Sequence, residues 1–188
     1  MAMVNINPNI FLPMPVVLVG TIVNKKPNFM AVGWITRANY QPPLIAISIG
    51  NSHYTHQGIK ETKTFSVCFP NAAMVVETDY CGVTSGKNTD KSELFQVFYG
   101  TTKTAPMIKQ CPLNLECKVV DELDYAADTL FIGEIISAFA EEKYLDAKKN
   151  PDFQKMDLMT FTVPDNTYRR FGEKLGDAWK IGNTLKKK

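Results

Sequence analysis

The chain is poor in the groups that many enzymes use directly. Among 188 residues there are two histidines, His53 and His56. No third ligand stands at metal spacing from them, so a metal site has little support. No GxSxG turn offers a strained serine for either histidine to serve, which argues against hydrolase chemistry of that type. No GxGxxG follows a strand and no GxxxxGK[ST] is present. Ser85-Gly86-Lys87 has the ending of a phosphate loop without its body. The four cysteines, Cys68, Cys81, Cys111 and Cys117, form no CxxC pair, and reduced, buried thiols are expected. No apolar run reaches the ~18 residues of a membrane-spanning helix. The first residues, MAMVNINPNIFLPMP, lack a basic region and are broken by Pro8, Pro13 and Pro15, unlike a secretory signal. Cytoplasmic residence, with no membrane, is the expectation. A net charge of +2 gives no electrostatic case for nucleic acid.

What is present suits one domain over 1–188, with 45% hydrophobic and 21% charged residues. Short β-branched and apolar runs predict strands over Val16–Val23, Phe29–Ile35, Leu44–Ile49 and Phe65–Phe69. Further strands are expected over Leu113–Val120, Thr129–Phe139 and Met159–Val163. Gly33 reads as a bulge or a point of close approach. Tyr40-Gln41-Pro42-Pro43 stops the second strand. Asn51 or Ser52 should cap a helix reaching Glu61, which Gly58 weakens by ~1 kcal/mol relative to alanine. Asn71 should cap a second helix, and Ser92–Val97 a short third; residues 98–110 look irregular. The aromatic, basic tail from residue 166 should wrap its own domain or a partner. Without βαβ alternation, the fold reads as mainly β with inserted helices, a closed antiparallel barrel.

With motif chemistry absent, a bound cofactor is the remaining route to reactivity. The stretch from Asn28 to Thr55 is densest in groups for a flat anion. Trp34 and Tyr40 offer aromatic faces, and Arg37 a forked cation. The helix start at Asn51-Ser52 offers free N–H groups to a phosphate. Ala46 and Ser48 share one strand face, leaving room for a ligand or for tight packing. Lys91 can stabilise a ring that becomes anionic on reduction; at ~4 Å and an effective dielectric of 20 the attraction is about 4 kcal/mol before desolvation. The same residues also suit capping, packing and solvation.

Two motifs in order carry a resemblance. MAVGWITRANYQPPLIAISIGNSHYTHQGIKETKTFSVCFP resembles the flavin reductase-like family of FMN-binding split barrels. DYCGVTSGKNTDK and the tail FGEKLGDAW look like its flavoredoxin branch. The likeness spans about residues 10–180. It implies a six-stranded antiparallel Greek-key split barrel, a homodimer, and non-covalent FMN near the subunit interface. Carried over by position, Thr36, Arg37 and Asn39 contact phosphate and ribityl, as do Ser48, Asn51, Ser52 and His53. Asn28, Trp34, Thr55 and Lys91 line the isoalloxazine, and Ser85 belongs to the second motif as a cofactor contact. Many flavin reductases carry serine or threonine where Arg37 and Asn39 stand here. No catalytic residue is implied beyond the flavin itself. The implied function is electron transfer through FMN, as an NAD(P)H-dependent reductase. A carrier fed by a protein electron donor, or a non-redox binding barrel, is the alternative.

Overall fold

The computed structural model describes residues 2–186. Its strands are β1 (Met14–Pro15), β2 (Val17–Val23), β3 (Lys26–Val32), β4 (Ile35–Asn39), β5 (Leu44–Gly50) and β6 (Thr64–Phe69), then β7 (Val97–Phe98), β8 (Met107–Ile108), β9 (Leu113–Asp124), β10 (Asp128–Ala140), β11 (Met159–Thr162) and β12 (Thr167–Arg170). The α-helices are α1 (Tyr54–Thr62), α2 (Val75–Val83) and α3 (Phe153–Met156).

Seven strands form one sheet in the order β3-β2-β6-β9-β10-β5-β4, with antiparallel pairing throughout. Its two edge strands, β3 and β4, are joined by Gly33 and Trp34 alone. A chain that leaves one edge and enters the other two residues later requires the sheet to be rolled. Counting β3 and β4 as one bent strand gives the six strands of the expected barrel. Gly33 marks the bend and a close approach: a Cβ there would lie 3.2 Å from Met14 Sδ.

The interior follows from alternation along the strands. Val17, Val19, Ile45, Ile47, Ile49, Phe65, Val67 and Phe131 meet inside the barrel, closed by Ile59 of α1. Leu18, Phe29 and Cys68 face the other way, onto Met74 and Cys81 at α2 and onto Phe95, Met107 and Ile108. All four cysteines are free and buried. Burial pushes the Cys68 thiol up to about 12 and Cys81 to about 11, which leaves both poor nucleophiles.

Three expectations shift. The predicted strand at 159–163 is not in the barrel; β11 forms a small sheet with β1 and β12, and β4 completes the barrel instead. Residues 98–110 are not wholly irregular, because β8 pairs with β7 and buries Met107 and Ile108. The helix expected at 92–97 is a 3-10 turn over Lys91–Leu94, since burial of Phe95 draws the chain into β7.

Gly58 is buried where α1 crosses β2. A Cβ would fall 2.6 Å from the Ile22 carbonyl oxygen and 2.6 Å from Thr21 Cγ2. The crossing outweighs the helical cost of glycine. Gly58→Ala should therefore destabilise the fold, by about 1–3 kcal/mol, measurable by urea unfolding; a gain in stability would refute the close packing.

Candidate functional site

Two cavities lie on either side of the start of α1. The first, about 300 Å³, has apolar walls from Phe11, Met14, Met30, Val32, Phe161 and Val163, and includes Trp34, Ser48, Gly50, His53 and Asp128. The second, about 260 Å³, is polar and is lined by Asn24, Lys26, Asn28, Tyr54 and residues 86–90. Strand β3 runs from one to the other, with Asn28 in the second and Met30 and Val32 in the first.

Helix α1 starts at Tyr54, not after Asn51 or Ser52. His53 holds the N-cap position and makes no side-chain capping bond. The helix therefore presents N–H groups and the positive end of its dipole without a side-chain cap. Asn51 is drawn away by a better offer. Its Nδ2 donates to the carbonyls of Tyr125 (3.1 Å) and Ala126 (3.4 Å), and its backbone N–H to Ala127. Asn51 thus staples the β5–α1 loop to the β9–β10 turn, while Ser52 stays exposed.

The staple centres on buried Thr129. Its hydroxyl lies 3.0 Å from Asn51 Oδ1, 2.7 Å from Asp124 Oδ1 and 2.8 Å from His56 Nε2. The one hydroxyl proton is shared between the Asn51 and Asp124 oxygens, and the Thr129 oxygen accepts from His56 in the tautomer that carries its proton on Nε2. Burial, then the Lys60 ammonium, lower the His56 pKa. Lys60 in turn pairs with Asp124 at 2.8 Å and Glu122 at 3.2 Å. The loop that delivers His53 and Ser52 is held by this network together with the local turn bond from the His53 N–H to the Gly50 carbonyl (3.0 Å).

Asn28 and Thr55 are brought together, both buried, but not with Trp34: Asn28 lines the second cavity and Trp34 the first. Asn28 Nδ2 donates to Thr55 Oγ1 at 2.8 Å, which leaves the Thr55 hydroxyl proton for another acceptor. Gly86 lies against this pair: a Cβ there would meet Asn28 Oδ1 at 1.9 Å. Lys91 is buried, and its ammonium donates to the carbonyls of Cys81 (3.1 Å) and Thr84 (2.7 Å). It closes the C-terminal end of α2, where a cation is favoured, and burial lowers its pKa. Ser85 is exposed and accepts from Lys87 N–H.

Trp34, Ser48 and His53 line the first cavity together. Thr36, Arg37 and Asn39 lie beyond it, exposed on β4. Arg37 donates to the carbonyls of Asn39 (2.8 Å) and Tyr40 (3.3 Å), and Asn39 to that of Pro42. Both side chains order the turn before β5.

Phe11, Met14, Phe161, Val163 and Asp128 were absent from the expectation. Phe161 and Val163 lie more than a hundred residues from Trp34 in the chain and carry no motif; pairing of β1 with β11 brings them in. Asp128 is legible only from the register, which sets it opposite Gly50.

The apolar walls and the Trp34 face fit a planar ring, and the uncapped helix start fits an anion. The Asp128 carboxylate, opposite Gly50, does not fit a phosphate beside it. No group of three or more His, Cys, Asp or Glu side chains among the described residues could hold a metal ion. No helix among them is long and apolar enough to cross a membrane.

Comparison with known proteins bears on the family and the fold. The chain is 50% identical to the flavoredoxin of Methanosarcina acetivorans, covering 98% of this chain and 100% of that one, with a TM-score of 0.96. It is 32% identical to the flavoredoxin of Desulfovibrio vulgaris (Miyazaki F), covering 97% and 100%, with a TM-score of 0.90. It is also 31% identical over 126 residues to a ferric-chelate reductase (NAD(P)H) of Archaeoglobus fulgidus, covering 62% of this chain and 72% of the relative. A family profile described as flavin reductase like domain matches residues 10–153. The chain belongs to the flavin reductase like domain family, and its rolled antiparallel barrel is that family's split barrel.

Proposed function

We propose that this chain binds FMN in the cavity at the start of α1 and passes electrons through it as an NAD(P)H-dependent reductase. A flavin-binding redox function follows from the family. The observation that carries the finer reading is the cavity itself, where Trp34 and apolar walls stand next to an uncapped helix start. One helix N-terminus with no dinucleotide loop suits a monophosphate, which favours FMN over FAD.

In this reading Trp34 covers the ring from the first cavity, and the Asn28–Thr55 pair, beside the second, holds the start of α1 behind it. Ser52, Ser48 and His53 meet the phosphate and ribityl end, with Asn51 setting their loop. Thr36, Arg37, Asn39 and Ser85 serve at the outer margin, and Lys91 adds positive charge from beneath. Bound there, the flavin supplies transfer of one or two electrons. The residues orient it, hold its charge and leave one face open.

A homodimer belongs to the same reading. Trp179, Leu175 and Leu185 in the tail are 97%, 95% and 87% exposed, a surface that a second copy would cover. Cytoplasmic residence is supported by four free, buried thiols. The NAD(P)H-dependent relative favours a small-molecule donor, whereas the likeness to two flavoredoxins leaves a protein electron donor as the second reading. Anaerobic mixing of the FMN-loaded protein with NADH or NADPH decides between them. Rapid bleaching of the flavin band is expected; a band that persists, but bleaches with a protein donor, would replace the reductase with a carrier.

A further inference from the structure

The cavity's outer wall comes from the small sheet, not from the barrel. Across that sheet the register sets Met14 opposite Phe161 and Phe161 opposite Tyr168. Directly opposed residues share a face, so the three side chains form one row. Each meets a different part of the molecule. Met14 lies against Gly33 at the bend between β3 and β4. Phe161 enters the cavity, with Val163 beyond it. Tyr168 packs its ring on Phe161 at 5.5 Å and donates its hydroxyl proton to Asp79 Oδ1 of α2 at 2.8 Å.

The inner side of the small sheet is anchored by backbone. Val16 N–H bonds the Met159 carbonyl, Ala72 N–H bonds that of Asp157, and Leu158 bridges Asn71. The outer strand β12 is different. It is an edge strand, and the chain after it, from Phe171 on, is exposed. The bond from Tyr168 to Asp79 ties this strand to α2. Burial, with the Asp79 carboxylate, pushes the Tyr168 hydroxyl up to about 12, so it stays a donor across the physiological range.

We propose that the Tyr168–Asp79 hydrogen bond is a latch that fixes the small sheet as a wall of the cavity, making Tyr168 a positioning residue for the planar ring bound against Phe161. The inference rests on the flavin reading for its ligand but not for the latch. Rigid placement of a wall lowers the ordering cost of binding, so losing the latch weakens affinity without removing a contact to the ligand.

The test compares Tyr168→Phe, Asp79→Ala and Asp79→Asn. Tyr168→Phe keeps the ring stack and removes only the bond. FMN titrated into the full chain should show Kd about tenfold higher in Tyr168→Phe and Asp79→Ala. Asp79→Asn, which still offers an acceptor oxygen, should recover most of the affinity. In flavin-free protein, amide hydrogen exchange over residues 159–170 should be faster in the first two variants and near wild type in the third. Unchanged exchange and Kd in Tyr168→Phe would overturn the latch, as would a Kd change matched by global destabilisation in thermal melts. If the wild type takes up no FMN while exchange still responds, the flavin reading fails and the latch stands.

Discussion

Replacing Lys91 with alanine should lower both the melting temperature of the flavin-free protein and the midpoint potential of the FMN-loaded one. The first effect comes from the capping geometry. Lys91 is buried, and its ammonium satisfies the carbonyls of Cys81 and Thr84 at the end of α2. Removing it orphans both, at a cost of about 2–3 kcal/mol after the lysine's own desolvation is relieved. For a chain of this size that is a fall of roughly 4–12 °C. The second effect comes from charge. In the proposed reading Lys91 adds positive charge near the flavin, which favours the more negative, reduced form, and for a two-electron couple each ~1.4 kcal/mol lost is about 30 mV. A fall of some tens of millivolts is expected by spectroelectrochemical titration. Lys91→Met, which keeps the apolar stem, should show the same fall. An unchanged potential in both variants would confine Lys91 to capping α2.

Glu116→Gln should produce the larger loss of stability. Glu116 is fully buried on β9. Its carboxylate accepts from the N–H groups of Thr101 (3.1 Å) and Thr102 (2.7 Å) and from the Thr102 hydroxyl (2.8 Å). It thereby ties the 100–106 loop over one side of the barrel, and Gly100 permits the approach, since a Cβ there would lie 2.3 Å from the carboxylate. Burial alone would raise the carboxyl pKa. The bonds from Thr102 and Thr101 outweigh it and hold the group below the usual carboxylate range. A depressed folded pKa means that Glu116 stabilises the fold above the unfolded glutamate value of ~4.3, and that this is lost as pH falls through the folded value. The amide of glutamine sets N–H against N–H in the same nest. A loss of about 3 kcal/mol at neutral pH is expected, by urea unfolding, together with a flatter acid limb of the stability curve. Equal stability at pH 7, or an unchanged acid limb, would show that the carboxylate is not the anchor.

The barrel was legible because its strands are short, β-branched and bounded by turns, as in VVLVGTIV and LIAISI. Motif position set Asn28, Trp34, Thr55 and Lys91 together at one ring; in the fold Asn28 and Thr55 pair beside the second cavity, whereas Trp34 lines the first with Ser48 and His53. The cap was not legible. Asn51 has the chemistry of an N-cap, but its side-chain amide finds two carbonyls, and its backbone N–H a third, in a hairpin turn some 75 residues away, and no local rule anticipates that contact. The guanidinium of Arg37 likewise bonds its own turn. The wall of Met14, Phe161 and Val163 escaped the sequence because β1 and β11 pair across the whole chain, and two short strands leave almost no periodic signal.

The most direct test of the central claim is to titrate FMN into the flavin-free protein and follow flavin fluorescence, with Trp34→Ala as the comparison. The account predicts saturable 1:1 quenching in the wild type, and weaker binding with less quenching in Trp34→Ala. Flavin that stays as fluorescent as in buffer, or binding indifferent to Trp34, would contradict the placement of the cofactor at the start of α1.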